Sequence, residues 1–199
     1  MLKLNYSNCK LECGLDEVGR GCLAGPVTAA AVILKPGFSN KLINDSKKLS
    51  KEKRLELSKI IKENSLAFSI SNIQPIIIDE INILNASILA MHKCLKKLKL
   101  KPEFIIVDGN KFKKFNDIPH KAIVKGDQKY MSIAAASILA KNHRDEYMND
   151  LDNNFPNYSW VTNKGYPTIA HKKSIIKYGI TIHHRKSFKL YDEQLIIDF

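Results

Sequence analysis

The distribution of hydrophobic and polar residues predicts a chain in which strands and helices alternate. Residues 11–34 contain two apolar runs separated by a Gly-Arg-Gly-Cys turn, which indicates two consecutive strands. Residues 66–73 alternate between apolar and polar positions, which predicts a third strand. The short apolar runs at 104–107 and 122–124 are typical of buried strands.

The longer periodic segments predict four helices. Residues 50–64 begin with Ser50 as an N-cap, and residues 75–98 repeat apolar side chains at the spacing of one amphipathic helix. Residues 130–151 are small and apolar in their first half, which is expected to pack closely on the sheet, and residues 168–178 form a basic amphipathic helix. The first three strands follow one another with little helix between the first two. This order favours an α/β fold whose mixed sheet opens with a meander over a purely parallel sheet.

Length and composition are those of an ordinary globular protein. The chain has 199 residues, 44% hydrophobic and 26% charged, which predicts a single domain over residues 1–199 and excludes disorder, collagen and a disulfide scaffold. No apolar run approaches the ~18 residues of a membrane span, and the N-terminus lacks the apolar region of a secretory signal. The four cysteines form no Cys-x-x-Cys pair, so free thiols in a reducing cytoplasm are expected.

The formal net charge of +12 favours a polyanionic partner, with nucleic acid first and an anionic membrane surface second. A lysine-rich proteome is an alternative source of the same excess, because only four of the 32 basic residues are arginines. The charge therefore narrows the class of partner without naming a function.

Acidic residues stand at the predicted ends of three strands. Asp16 and Glu17 end the first strand, and Asp108 ends a buried strand. Asp127 follows a glycine just after the predicted strand at 122–124. Loops and helix starts converge at the carboxyl ends of strands, so catalytic groups concentrate there. Carboxylates that approach one another need cations, and oxygen-only ligands select Mg²⁺ or Mn²⁺. Two such ions about 3.5–4 Å apart support displacement at phosphorus.

The interpretation of these acids as a metal site depends on one geometric condition and has one alternative. Adjacent strand residues point to opposite faces, so Asp16 and Glu17 can share a site only if the strand ends or bulges there. The alternative is that each acid is a salt-bridged surface residue, one of 20 acidic side chains in the chain.

The residues from 13 to 27, Cys-Gly-Leu-Asp-Glu-Val-Gly-Arg-Gly-Cys-Leu-Ala-Gly-Pro-Val, resemble the opening signature of ribonuclease HII. The resemblance continues in order along nearly the whole chain, through residues 45–49, 107–110, 125–127, 132–141, 163–168 with His171, and 184–188. A related type-III enzyme carries an additional N-terminal nucleic-acid-binding domain, for which the 15 residues before Asp16 leave no room.

The resemblance implies an endonuclease that cuts the RNA strand of RNA–DNA hybrids and incises DNA at embedded ribonucleotides, leaving 3′-hydroxyl and 5′-phosphate ends. It implies the ribonuclease H-like mixed β-sheet flanked by helices, with a C-terminal helical region. The catalytic and metal-binding set carried over by motif is Asp16, Glu17, Asp108 and Asp127, with Asp16 bridging two Mn²⁺ or Mg²⁺ ions.

The resemblance also implies a set of substrate contacts. Backbone groups of Gly19, Arg20 and Gly21 are expected to read the ribose 2′-hydroxyl, with Arg20 facing a phosphate or balancing the acids, and Tyr166 is expected to read the junction with the following deoxyribose. His171 is expected to lie near the substrate phosphates, whereas residues 183–185 are expected to have a structural role. The basic side chains expected at phosphates are Lys47, Lys48 and Lys164, with Lys141, Arg144, Lys172 and Lys173 as further contributors.

Two other functions compete with a nuclease. A non-catalytic hybrid-binding module on the same fold is expected to have lost at least one carboxylate, and all four are present. A phosphohydrolase for small substrates leaves the basic surface and Tyr166 without a role.

The C-terminal residues Gln194 to Phe199 resemble the hexapeptide that binds the bacterial sliding clamp, Gln-Leu-x-Leu-x-Phe, with Ile197 at the second Leu position. The alternative is that these apolar residues pack on the domain. The expected state of the protein is a monomer.

Overall fold

A five-stranded mixed sheet forms the centre of the protein, as seen in a computed structural model that describes residues 2–43 and 49–190. The first three strands form an antiparallel meander, and the other two continue the sheet in parallel with the first strand, in the order β3-β2-β1-β4-β5. This arrangement confirms the predicted mixed sheet. The strands are β1 Glu12–Val18, β2 Val27–Leu34, β3 Ser65–Ile73, β4 Phe104–Asp108 and β5 His120–Ile123.

Five helices belong to the described residues, and the four predicted ones are present. Side-chain caps fix two of their starts: Ser50 Oγ accepts from the Lys53 N–H at 3.2 Å, and Thr168 Oγ1 accepts from the His171 N–H at 3.1 Å. The helices are α1 Lys51–Glu63, α2 Pro75–Lys97, α3 Met131–Asn154, α4 Trp160–Asn163 and α5 Ile169–Tyr178.

Helices cover both faces of the sheet because side chains alternate along the buried strand β2. Val27, Ala29 and Ala31 pack in one apolar cluster with α2, whereas Ala30 and Val32 pack in a second cluster with α1 and α3. Both faces of the central strands are therefore buried, which explains why β2 consists almost entirely of apolar residues.

Helix α3 lies unusually close to strand β1. A Cβ atom placed on Gly14 would lie 2.3 Å from the carbonyl carbon of Ser132. The small residues Ala134 to Ala136 in the same part of the helix are fully buried. The predicted close packing of the small half of this helix is therefore confirmed, and Gly14 is the residue in the sheet that permits it.

The structure differs from the predicted elements in three places. Helix α2 is interrupted at Asn82, whose backbone has φ 64° and ψ 164°, and the Asn82 side chain accepts a hydrogen bond from the Asn85 N–H at 3.1 Å. Apolar periodicity continues through this break, so it gave no sign of the interruption. Strand β5 lies at the sheet edge and is only partly buried, whereas the sequence predicted a buried strand. The short helix α4 was not predicted.

The C-terminal region packs against one end of the sheet through an aromatic cluster. Trp160 is fully buried, and its ring stacks on Tyr158 with centroids 5.0 Å apart. The cluster also contacts Ala24, which follows the first turn of the chain, and Met148 on α3. This contact brings the region after residue 155 beside the loop that joins β1 and β2.

The cysteines Cys9, Cys13, Cys22 and Cys94 are free, as predicted. None of the helices within residues 2–43 and 49–190 combines the length and apolar character required to cross a membrane.

Candidate active site and substrate surface

Asp16 on β1 and Asp108 on β4 each lie one residue beyond the last position at which these two neighbouring strands pair. The parallel pairing of β1 and β4 ends with Leu15 opposite Val107, so the two following carboxylates stand side by side. Both belong to the face of the sheet that α3 covers, because the alternate residues Leu15 and Val107 pack toward α2. The structure therefore brings these two predicted site residues together.

Glu17 reaches the same edge from the opposite face. The strand neither ends nor bulges at this point: β1 continues to Val18 and remains in regular register with β2. Glu17 instead lies in a cleft on the α2 side that Asp108 and Arg20 also line. The carboxylates can influence one another because they lie where the β4 pairing has stopped, and not because the strand is distorted.

Burial and neighbouring charges both affect the pKa values of these acids. Burial raises the pKa of Asp16 well above its usual range, and the charges of Glu17 and Asp108 raise it further. Burial also raises the pKa of Glu17, against the opposing effect of the Arg20 guanidinium. Hydrogen bonds from the Ser137 hydroxyl and from the Glu17 N–H, at 2.7 Å, partly stabilise the charged form of Asp16.

Asp127 lies in a short 3₁₀ turn, Gly126–Gln128, and is buried with 6% of its surface exposed. The preceding Gly126 N–H donates to Asp108 Oδ1 at 2.6 Å, which ties this turn to the end of β4. A Cβ atom on Gly126 would lie 2.6 Å from Ile133 Cδ1, so a larger residue at this position would require the Ile133 side chain to move. The structure thus places Asp127 next to a residue that contacts Asp108.

The donor set of this site fits a hard divalent cation. All four predicted ligands offer carboxylate oxygens, and the mutual repulsion that raises the pKa of Asp16 is what a bound cation relieves. Over residues 2–43 and 49–190, no three acidic, histidine or cysteine side chains already converge in a geometry that would hold a metal ion. Some of these oxygens instead accept protein hydrogen bonds, such as the one from Arg20 Nη1 to Glu17 Oε1 at 3.1 Å.

The loop Gly19-Arg20-Gly21 lies directly beside the carboxylates. Gly19 has φ +89°, and a Cβ atom there would lie 2.2 Å from Arg144 Nε, so packing alone requires glycine. A Cβ atom on Gly21 would meet no atom within 4 Å, so Gly21 faces open space. The Arg20 side chain is half exposed and pairs with Glu17. Of its two predicted roles, this structure shows the one in which it balances the acids.

Tyr166 presents an exposed ring on the same side of the molecule. The cationic groups of Lys141 and Arg144 each lie 5.9 Å from the centre of the ring, and 37% of the residue is exposed. Its backbone is held firmly, since Tyr166 N–H donates to the Asn163 carbonyl at 2.9 Å. The ring is therefore an exposed surface on a fixed backbone.

His171 is not at the surface, and a direct phosphate contact by this side chain is contradicted. The residue is 0% exposed, and burial lowers its pKa. Trp160 Nε1 donates to His171 Nε2 at 2.9 Å, so Nδ1 carries the proton and donates to the Tyr166 carbonyl at 2.9 Å. The imidazole is neutral and fixes the Tyr166 loop from inside.

Arg144 is likewise buried and does not join a phosphate-binding stripe. The residue is 0% exposed, and its guanidinium donates to the carbonyls of Ala24, Pro26 and Lys164 at 2.9–3.0 Å. Its physical role is to hold the loop after β1 against the Tyr166 loop. The proximity of Arg144 to Lys141 in the sequence suggested a common surface, but the helix turns the two side chains to different environments.

The predicted lysine contacts lie in several environments. Lys164 is partly buried, and its ammonium donates to Asn149 Oδ1 and the Val161 carbonyl. Lys141 pairs with Asp145 at 2.6 Å. Lys172 is partly buried and Lys173 is exposed, both on α5. Lys47 and Lys48 lie outside the described residues.

Arg185 is the buried residue that sequence reasoning missed as a support of the site. Arg185, like Arg144, is 0% exposed and donates to backbone carbonyls, one of which belongs to Arg20. Arginine is normally a surface residue, so composition and periodicity carry no signal for such a position. The structural role predicted for residues 183–185 agrees with this burial.

A mixed sheet that opens with a meander and carries carboxylates at the ends of adjacent central strands defines the class of ribonuclease H-like nucleases. A family model described as Ribonuclease HII matches residues 13–191. The chain therefore belongs to the ribonuclease HII family.

Individual relatives agree with this assignment. Ribonuclease HII of Christiangramia forsetii is 57% identical over 197 residues, which cover 98% of this chain and 100% of that protein. Among solved structures, ribonuclease HII of Archaeoglobus fulgidus, solved as a PCNA:RNase HII complex, is 27% identical with a TM-score of 0.74, covering 95% of this chain and 100% of that chain. The fold is also that of Bst-RNase HIII in complex with Mn²⁺, 20% identical, with a TM-score of 0.76 and coverage of 96% of this chain and 71% of that chain.

Proposed function

We propose that this protein is a metal-dependent endonuclease that hydrolyses the RNA strand of RNA–DNA hybrids and incises DNA at embedded ribonucleotides, leaving 3′-hydroxyl and 5′-phosphate ends. Membership of the ribonuclease HII family supports the hydrolysis of hybrids. The observation that carries the proposal for this chain is the position of Asp16 and Asp108 at the ends of neighbouring strands, beside a loop in which Gly21 faces open space.

The four carboxylates Asp16, Glu17, Asp108 and Asp127 would hold two divalent ions, with Mg²⁺ and Mn²⁺ as the candidates. Such ions, when bound, supply activation of water and stabilisation of the leaving oxygen during displacement at phosphorus. The chain contributes a dry, rigid setting: Asp16 is 5% exposed and Asp127 is 6% exposed. Hydrogen bonds from Ser137 to Asp16 and from Gly126 to Asp108 orient these ligands before an ion arrives.

The ribose is distinguished from deoxyribose by its 2′-hydroxyl, which only a closely approaching group can sense. Gly21 is suited to this contact, because it faces open space and directly follows Arg20, which lines a cleft with Glu17 and Asp108. Tyr166 presents an exposed ring for the sugar that follows the ribose. The predicted junction-reading role of Tyr166 is therefore retained as part of the proposal.

The surface charge supports a long polyanionic substrate over a small phosphorylated one. The net charge of +12 exceeds what a single phosphomonoester requires, and lysines are available around the Tyr166 loop, among them Lys141, Lys164 and Lys173. His171 and Arg144 act from the interior, by fixing the loops that contact the substrate.

A second candidate interaction concerns the C-terminus. Gln194 to Phe199 lie outside the described residues, and the hexapeptide pattern remains the basis for proposing a bacterial sliding clamp as partner. The PCNA complex of the Archaeoglobus relative supports a clamp interaction by analogy. We further propose that the chain acts as one catalytic domain and as a monomer. The four free cysteines support a cytoplasmic location, because cytosolic thiols stay reduced.

One assay tests the central proposal. A DNA duplex with one ribonucleotide is incubated with the protein and Mg²⁺, Mn²⁺ or EDTA, beside the same duplex made entirely of DNA. The expected result is metal-dependent incision at the 5′ side of the ribonucleotide, with a 3′-hydroxyl on the upstream fragment, and no cutting of the DNA control. Tight hybrid binding without incision in either metal would instead indicate the non-catalytic module.

A further inference from the structure

Arg185 is buried completely and binds only backbone carbonyls and an aromatic ring. Its Nη1 donates to the Arg20 carbonyl at 2.9 Å, and its Nε and Nη2 both donate to the Gly25 carbonyl at 3.1 and 2.9 Å. The guanidinium carbon lies 5.1 Å from the centre of the Phe188 ring. These contacts join the C-terminal region to both ends of the loop 20–25.

No carboxylate forms an ion pair with this guanidinium within the part of the chain that the structure describes. Burial lowers the pKa of Arg185 to about 10, so the side chain remains charged at neutral pH. Burying a charge without a paired carboxylate is unfavourable, and carbonyl dipoles are then what stabilise it. Lysine cannot reproduce the contact, because only a planar fork reaches two separate carbonyls in a fixed geometry.

The backbone around Arg185 is fixed to the same loop. The Arg185 N–H donates to the Leu23 carbonyl at 2.8 Å, and the Gly25 N–H donates to the His183 carbonyl at 2.8 Å. On the other side, Asp79 on α2 accepts hydrogen bonds from the N–H groups of Lys186 and Ser187 at 2.9 and 3.0 Å. The backbone around Arg185 is therefore held rigidly, so the guanidinium can fix the position of the loop 20–25.

The contact with the Arg20 carbonyl determines where the next amide points. In a trans peptide the C=O and the following N–H point in opposite directions, and none of the described peptide bonds is cis. A carbonyl directed inward to Arg185 therefore turns the Gly21 N–H away from the protein interior. Within residues 2–43 and 49–190 this N–H has no hydrogen-bond acceptor, and the space beside Gly21 is open.

We infer that Arg185 is a positioning residue for substrate discrimination, which holds the Arg20–Gly21 peptide so that the Gly21 N–H meets the 2′-hydroxyl of the ribose. The inference rests on the proposed function and names the side chain that sets its specificity. Arg185 itself touches no substrate, because two loops and the Phe188 ring enclose it.

The test compares the preference for ribose between the wild type and the variants Arg185→Lys and Arg185→Gln. Two duplexes that differ only by one 2′-hydroxyl are bound with Ca²⁺ in place of Mg²⁺, with a gel to verify that no cleavage occurs, and affinities are measured by fluorescence anisotropy. The wild type is expected to prefer the ribonucleotide duplex by about tenfold, the value of one good hydrogen bond. Both variants are expected to reduce this preference to about twofold or less, while retaining the affinity for the all-DNA duplex.

The ratio of the affinities for the two duplexes distinguishes a positioning role of Arg185 from a general loss of stability. Glu12→Gln is the matched control: Glu12 is buried at the opposite end of β1, where its carboxylate accepts hydrogen bonds from Tyr6 and Ser7. This variant should unfold at a lower temperature and keep the full preference. Folded Arg185 variants with an unchanged preference would overturn the role of Arg185. Absence of metal-dependent cleavage by the wild type would instead overturn the proposed function.

A second measurement needs no variant and covers the case in which both substitutions unfold the chain. In ¹⁵N-labelled wild-type protein with Ca²⁺, the Gly21 amide resonance is expected to shift on adding the ribonucleotide duplex and to stay in place with the all-DNA duplex. Equal shifts with both duplexes would overturn the peptide orientation on which the inference depends.

Discussion

Asp108 Oδ1 accepts a hydrogen bond of 2.6 Å from the backbone N–H of Gly126, which joins the end of β4 to the turn that carries Asp127. This contact fixes two acidic residues from different segments at one edge of the sheet.

The first prediction concerns Asp108. In Asp108→Asn the amide oxygen can still accept from Gly126, so the fold should be retained while the negative charge is lost. We expect the cleavage rate to fall by about a thousandfold or more, because metal stabilisation of the transition state amounts to several kcal/mol and about 1.4 kcal/mol is tenfold. Affinity for a hybrid should change little, and single-turnover kinetics with anisotropy binding measures both.

The matched control for this substitution is Asp117→Asn, since the Asp117 side chain is 99% exposed on a surface loop and pairs only with Lys114. It should cleave at the wild-type rate. Wild-type turnover by Asp108→Asn would remove Asp108 from the metal site.

The second prediction concerns Tyr166. Tyr166→Ala removes the exposed ring, and loss of one stacking surface is worth about 1–3 kcal/mol. We expect cleavage at a single embedded ribonucleotide to slow by about tenfold or more, with a smaller effect on an all-RNA strand that lacks the ribose–deoxyribose junction. Tyr178→Ala, at another exposed tyrosine, should leave both rates unchanged. Equal losses on the two substrates in Tyr166→Ala would contradict the junction-reading role.

The third prediction concerns pH and His184. Burial, followed by unfavourable electrostatic interaction with the neighbouring imidazoles of His171 and His183 when these are protonated, lowers the pKa of His184 to about 4. The unfolded chain, with an ordinary histidine pKa near 6.5, then binds the proton more readily than the folded protein. Stability from this group is therefore complete above about pH 6.5 and is lost as the pH falls toward 4.

Melting temperatures between pH 7.5 and 4.5 measure this loss. We expect at least about 1 kcal/mol for the wild type, or about 2–4 °C for a chain of this size. The variant His184→Gln should begin at a lower melting temperature and show a flatter pH dependence. An equally steep dependence in the variant would assign the effect to other groups.

The fourth prediction concerns the packing of α3 on β1. Gly14→Ala places a methyl group 2.3 Å from the backbone carbonyl carbon of Ser132, which cannot move without displacing the helix. We expect a destabilisation of about 1–3 kcal/mol or more, as in other overpacked interiors. Urea denaturation measures it, with Ala122→Gly on the partly buried edge strand as a milder comparison. An unchanged midpoint for Gly14→Ala would show that the helix can move away freely.

The fifth prediction concerns the C-terminal hexapeptide. Deletion of residues 194–199 should abolish binding to a bacterial sliding clamp in titration calorimetry, because the apolar anchors Leu195, Ile197 and Phe199 would be lost. Cleavage of a ribonucleotide-containing duplex without the clamp should be unaffected. Unchanged clamp affinity, or a large drop in melting temperature on deletion, would favour packing of this segment on the domain.

The sequence by itself determined the mixed sheet and the positions of most elements. The alternation along residues 66–73 and the apolar run at 104–107 reflect which positions of each strand are buried. Burial of this kind is visible in the sequence because buried strand positions are apolar. The candidate acids were found in the same way, because a carboxylate directly after a buried strand interrupts an otherwise apolar pattern.

Structural features that depend on a neighbouring strand or helix are not visible as a residue pattern in the sequence. The break in α2 at Asn82 lies within uninterrupted apolar periodicity, and the edge position of β5 is decided by which strand it pairs with. Asp16 and Glu17 stand on opposite faces of one strand, as the period of two requires. Both lie beyond the last residue of β1 that pairs with β4, Leu15, and this end of the pairing is set by the tertiary structure.

The tertiary structure also decided which polar residues are exposed. His171 and Arg144 were predicted to contribute to phosphate binding and Arg185 to have a structural role, yet all three are 0% exposed, because the aromatic region around Trp160 encloses the first and two loops enclose the arginines. A side chain's type fixes which hydrogen bonds it can make, whereas the chain segments packed around it decide whether its partner is a phosphate or a carbonyl. For this protein the sequence predicted the acidic residues of the candidate site, and only the packing of the chain placed His171, Arg144 and Arg185 in the interior.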